Sequence, residues 1–307
     1  MLNDIQKHIL EVVSGMAADA QGAVNIRANG KRAYHSNCEG VRIESKTDKE
    51  GIDIIIEPGV EANHVYIPVV VTEEGFHDVV YNDFFIGEGA VVTINAGCGI
   101  HNCGSCDSEH DGIHTFHVGK NAVVTYSEVH YGEGEGEGKR ILNPQTILYL
   151  EEGARVTLES TQIRGVDDTK RYTKAVLKGE NAEFIVQEKL LTHGNQVADS
   201  VMDVFLDGEN SSCRVISRSV AQDESTQTFY PRVVGNTACF GHVQCDSIIM
   251  GKAKVRSIPE ISCNHVDAGL IHEAAIGKIA GDQILKLQTL GLSYEEAEEK
   301  ILEGFLR

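Results

Sequence analysis

A short phrase that recurs five times restricts this chain more than any other feature. GEGAVVT begins at Gly87, GKNAVVT at Gly119, EEGARVT at Glu151, GENAEFI at Gly179 and GENSSCR at Gly208, so successive starts are 32, 32, 28 and 29 residues apart. Periods of this size belong to stacked architectures, in which each unit buries its apolar face only against its neighbours. Each phrase opens with Gly, Asn or acidic residues suited to a tight turn, then alternates in the manner of a strand. Val91 and Thr93, or Val123 and Thr125, then point the same way, because side chains along a strand repeat every two residues. A β-sandwich is the competing arrangement. Asn-Gly and Asp-Gly hairpin signals are scarce, which favours an all-β solenoid, a parallel β-helix, over about 23–270.

Both ends read as helical. Ile5, Ile9, Val12, Val13 and Met16 are spaced for one amphipathic helix over 3–18, within an N-terminal segment 1–22. Near the other end Ile284, Leu287 and Leu290 share a helix face, with Gly291 placed as a C-terminal cap. Ser293-Tyr294-Glu295-Glu296 is a capping box that opens a second helix through Ala297, Ile301, Leu302 and Phe305. The segment 271–307 is therefore expected to form a helical hairpin.

With 27 basic and 46 acidic residues, the net charge of −19 argues against nucleic acid or an anionic membrane as the main partner. No apolar run reaches the ~18 residues of a membrane span. Met1-Leu2-Asn3-Asp4 is not the basic-then-apolar layout of a secretory signal, which predicts a cytoplasmic protein. In that reducing setting the eight cysteines read as free thiols or metal ligands rather than disulfides.

Three regions could carry chemistry. Cys98, His101, Cys103 and Cys106, followed by His110, His114 and His117, have the donor types that bind zinc, iron or a cluster, though the C-x4-C-x2-C spacing lacks a fourth nearby Cys. Read instead as a solenoid turn, the cysteines are buried fillers and the histidines face solvent. Cys245, in Gln244-Cys245-Asp246-Ser247, sits in a strand, where a lone Cys is commonly inert core. His272-Glu273 lacks the second His of an H-E-x-x-H zinc helix, since position 276 is Ile. The GEGEGEG run from Gly132 to Gly138 reads as a solvated turn or an ion-binding or partner loop. No GxxxxGK[ST] or GxSxG motif occurs, so neither P-loop nucleotide hydrolysis nor that serine chemistry is expected.

QCDSIIMG from Gln244, SIPEIS from Ser257 and HEAAIGKIAGDQILKLQTLGLSYEEAEEKILEGF from His272 resemble the SufB/SufD family, the scaffold half of the SUF iron–sulfur cluster assembly system. The likeness extends more weakly upstream through LKGENA and HGNQVAD. It implies a right-handed parallel β-helix between helical ends, and pairing with a second, identical or paralogous, SufB/SufD-type subunit. It also implies a SufC-type ATPase bound through the C-terminal helices, a sulfur donor and apo-protein acceptors. By that resemblance Cys245, Glu273 and His272 form the assembly site for a transient iron–sulfur cluster and its iron. One chain carries all three, which is closer to the SufB type than to a non-catalytic SufD-like partner, in a short form ending two residues after Phe305. The scaffold itself turns over no substrate.

One departure matters. Similar SufB proteins have a cysteine for sulfur receipt just before the V-L-x-G phrase, and here that position is Ala175. Sulfur must then enter elsewhere, arrive as sulfide, or be received by another thiol such as those of the Cys98–Cys106 loop. Two rival readings are a β-helix enzyme acting on acidic polysaccharide, disfavoured by the acidic charge and absence of Trp, and a metal sensor or store built on Cys98–His117.

Overall fold

The computed structural model describes residues 2–15 and 22–306. It is a two-sheet solenoid in which the chain passes from one sheet to the other and back in each coil. Only the first strands pair antiparallel, Ala23–Ala28 with Lys31–Ser36 and Val41–Ser45 with Gly51–Ile56. All other pairings between named strands are parallel among the described residues, as the repeats predict.

The repeated phrase is one turn used again and again. Its third residue, Gly89, Asn121, Gly153, Asn181 or Asn210, has φ between 55° and 67°. Gly adopts this left-handed conformation without penalty, and Asn tolerates it better than other side chains. Each of these residues donates its N–H to a carbonyl of the following coil: Gly89 to Lys120, Asn121 to Glu152, Gly153 to Glu180, Asn181 to Glu209 and Asn210 to Ala238. The next residue, Ala90, Ala122, Ala154, Ala182 or Ser211, is fully buried, and small side chains let successive turns stack closely. Val91, Val123, Arg155, Glu183, Ser212 and Phe240 then stand directly over one another across the coils.

The interior is divided. Along one row of the first sheet, inward residues are aliphatic or aromatic: Ile94, Tyr126, Leu158, Val186, Val215 and Val243. Two residues further along each strand, the inward row is Ala96, Glu128, Ser160, Glu188, Ser217, Cys245 and Ala274. From the opposite sheet Phe84 and Phe116 stack with centroids 4.0 Å apart, and Tyr126 meets Phe116 edge-on at 4.9 Å. Such aromatic pairs add about 0.5–1.5 kcal/mol each beyond the area they bury.

Helix α1 (Asp4–Ser14) has the Asn3/Gln6 capping box at its start and Gly15 in the left-handed conformation at its end. Residues 16–18 of the expected helix lie outside the described residues. The helix covers the outer face of strand Val91–His101, where Gly97 and Gly99 make room for it. A Cβ on Gly97 would stand 2.3 Å from the Val13 carbonyl oxygen, and one on Gly99 2.1 Å from Ile9 Cγ2.

The strand core continues through Ala268–Gly277, so the helical tail expected from 271 begins instead at α2 (Gly281–Thr289) and closes with α3 (Tyr294–Phe305). The Ser293/Glu296 capping box is formed as read from the sequence. No helix among the described residues is long and apolar enough to cross a membrane.

Candidate functional site

Cys245 and His272 lie on neighbouring strands of the first sheet, Cys239–Ile249 and Ala268–Gly277. Val243 pairs with His272 and Cys245 with Ala274, so Cys245 stands two residues along from the position opposite His272, on the same inward face. His272 occupies the row that Val186, Val215 and Val243 fill in the coils before it. The interior therefore ends in an imidazole where it had been aliphatic. The Cys245 Sγ lies 3.4 Å from His272 Nε2.

Beside the thiol is a cavity of about 20 Å³ lined in part by Glu188, Ser217, Ser219, Cys245 and Ser257. That is room for one water-sized species. Burial pushes the Cys245 thiol up to about 11, and Glu188 and Asp246 add to the rise. Burial, with His242 nearby, holds His272 below the usual imidazole value. Both groups are neutral at rest, a thiol facing an imidazole. An arriving cation changes this, since metal binding requires the thiolate.

Glu273 does not join them. Adjacent strand residues point to opposite faces, so Glu273 projects outward, where its carboxylate lies 3.6 Å from His242 Nε2. The structure brings together two of the three residues implied by the resemblance and leaves the third across the strand.

The loop containing Cys103 and Cys106 is organised by a carboxylate. Glu74 Oε1 accepts from the Ser105 and Cys106 N–H groups at 2.6 and 3.0 Å, and these bonds lower its pKa. Cys103 Sγ lies 3.1 Å from His101 Nε2, and His101 Nδ1 lies 3.2 Å from Glu133. Cys98 faces the other way, into an apolar cluster with Val69, Val71 and Ile100, and burial raises its pKa far above that of a free thiol. No three of Cys98, His101, Cys103 and Cys106 have donor atoms within 4.8 Å of one another. The GEGEGEG run stacks on this loop. A Cβ on Gly134, Gly136 or Gly138 would fall 2.1–2.4 Å from the carbonyl oxygen of Asn102, Gly104 or Cys106, so the alternate glycines are a packing requirement.

Two of the three histidines after the loop are interior. His110 and His114 are buried, whereas His117 stacks between Phe85 and Tyr149 on the outer face. Reading the sequence also missed a buried polar chain. His114 Nδ1 bonds the Tyr126 hydroxyl, which donates to Glu128, while Arg171 bridges His130 Nδ1 and Glu188 Oε1 at 3.1 and 2.6 Å. Ser217 donates to Glu188 at 2.9 Å and stands opposite Cys245 in register. The repeats hold the available signal, because their alignment places Glu128, Glu188 and Cys245 in one inward row.

Residues 72–305 match the family model described as "SUF system FeS cluster assembly, SufBD core domain". The chain is 26% identical to an iron–sulfur cluster assembly SufBD family protein of Methanocaldococcus jannaschii, over 87% of this chain and 85% of that one. A Pyrococcus horikoshii protein of the same description is also 26% identical, over 87% of this chain and 81% of its own length. A chloroplastic one from Arabidopsis thaliana is 29% identical over 72% of this chain and 41% of its own.

Proposed function

Because the chain belongs to the SufB/SufD family of the SUF iron–sulfur cluster assembly system, we propose that it is a scaffold on which a nascent cluster is held and then passed to apo-proteins. The observation that carries this reading is the Cys245–His272 contact at the last coil, beside a cavity sized for a single small species. As iron arrives, His272 Nε2 is the first acceptor for the Cys245 proton. Once that proton passes to solvent, the thiolate and the imidazole lone pair both face the cargo. Return of the proton weakens the thiolate bond and favours release.

The terminal strand Ala268–Gly277 leaves one edge without a neighbouring strand among the described residues. An unpaired edge is a template for another strand, and a second SufB/SufD-type subunit, identical or paralogous, is the partner assigned to it. Glu273 and His242, on the outer face of these two strands, lie beside that shared edge. Helices α2 and α3, with Leu285 and Leu290 exposed, are the surface assigned to a SufC-type ATPase. The chain has no P-loop, so nucleotide turnover is assigned to that partner, and this subunit is read as the scaffold. Eight free cysteines suit a reducing cytoplasm.

The test is anaerobic reconstitution with a SufC-type ATPase, iron and a sulfide source, followed by transfer to an apo-ferredoxin. Wild type is expected to pass on a cluster and Cys245→Ala to fail. Equal transfer by both would refute the assignment.

A further inference from the structure

A second ion seat lies on the outer face of the other sheet. His77 opens strand His77–Ile86, and Glu109 and Asp111 lie on the adjacent strand Ser108–Val118. His77 stands opposite Glu109 in register, and Asp111 is two residues further along, so all three side chains share one face. His77 Nε2 lies 3.3 Å from Asp111 Oδ2 and 3.6 Å from Glu109 Oε2. One donor atom from each residue falls within 4.8 Å of the other two, the one such group of His, Cys, Asp and Glu among the described residues.

The surroundings leave these atoms short of positive charge. Neither carboxylate has a Lys or Arg partner among the described residues, and His77 supplies their ion-pair contacts. Asn143 Nδ2 donates to Glu109 Oε1 at 2.8 Å, fixing the carboxylate with Oε2 turned toward His77. Asp111 Oδ1 is shielded from solvent and has no hydrogen-bond partner, an unfavourable state that a donor or cation would relieve.

The geometry points to a binding site for a divalent first-row metal ion, held by His77 Nε2, Glu109 Oε2 and an Asp111 carboxylate oxygen. One imidazole and two carboxylates suit Mn2+, Fe2+ or Zn2+, and the solvent side stays open for water ligands. The site is separate from the Cys245–His272 pair. Four strand steps divide Ser108–Val118 from Thr226–Gly235, which precedes Cys245, or about 19 Å at the usual strand spacing. The inference goes beyond the proposed assembly role and does not rest on it.

Mn2+ binding to the full chain, measured by loss of the free-ion electron paramagnetic resonance signal, tests the site, because Mn2+ prefers oxygen ligands and discriminates against thiols. The wild type should bind one equivalent. Asp111→Asn and His77→Ala should each weaken binding at least about tenfold, while Cys245→Ala binds as wild type. All three positions of the site face outward, and thermal melts confirm that the variants fold. Absence of saturable binding by the wild type, or wild-type affinity in both site variants, would overturn the proposal.

Discussion

Cys245 Sγ and His272 Nε2 stand 3.4 Å apart although 27 residues of chain separate them. One coil here runs 29 residues, from Val243 to its register partner His272, and Cys245 lies two residues past Val243, so the contact follows from the repeat itself. Cys245 continues an inward row that holds Glu128, Ser160, Glu188 and Ser217, and His272 terminates an otherwise apolar one. The site is the place where the two rows run out of coils.

Cys245 should be a slow thiol in the resting protein. Burial pushes it up to about 11, whereas Cys103, Cys106 and Cys263 are exposed. Under limiting iodoacetamide near neutral pH, peptide mass spectrometry should find the three exposed cysteines alkylated first and Cys245 at least about tenfold slower. Labelling of Cys245 as fast as Cys103 would show that the thiol is already ionised.

Acid should weaken the core before it affects the surface. Burial lowers His114 to about 4, so between there and the unfolded value near 6.5 the unfolded chain binds a proton that the folded chain does not. Stability therefore falls as pH drops through that window, on the order of 3 kcal/mol for this group. Burial opposes ionisation of Glu128 too, but His130, His114 and Arg171 outweigh it and hold the group at about 2. Its contribution is present above the unfolded carboxylate value and is lost as pH falls through about 2. Melting temperature should decline from pH 7 to pH 4, and His114→Gln should flatten the slope.

The Arg171–Glu188 pair is buried on both sides, with NH1 and Oε1 2.6 Å apart. Arg171→Met leaves Glu188 uncompensated and should cost about 3–5 kcal/mol, while the double variant Arg171→Met/Glu188→Leu should recover most of it. Denaturant unfolding of the full mutant cycle measures the coupling. A double variant as weak as the single one would mean the pair contributes through packing.

The turn ladder gives a conformational test. Asn181 has φ of 59°. Asn181→Gly should change stability by a few tenths of a kcal/mol, and Asn181→Val should lose about 1–2 kcal/mol. Equal urea midpoints for the two variants would contradict the need for a left-handed residue at that position.

Much of this fold is legible in the sequence because the turn phrase carries both its period and its left-handed Gly or Asn. The C-terminal helices are equally legible through Ser293 and Glu296, whose reciprocal cap is local. The site is only half legible. His272 and Glu273 are neighbours in sequence, and only strand parity, fixed by pairing with Cys239–Ile249, decides which of them looks inward. Cys98 illustrates the same difficulty. Its spacing to Cys103 and Cys106 suggests a shared ligand set, yet the strand runs through His101 and turns Cys98 into the core. The glycines of GEGEGEG read as freedom and act as contact, since their neighbours lie in a loop one coil away.

Iron and acid-labile sulfide bound per chain after anaerobic reconstitution test the central claim most directly. Wild type should retain both, Cys245→Ala and His272→Ala should each lose most of them, and Glu273→Gln should lose less than either. Full retention in both Cys245→Ala and His272→Ala would contradict the account.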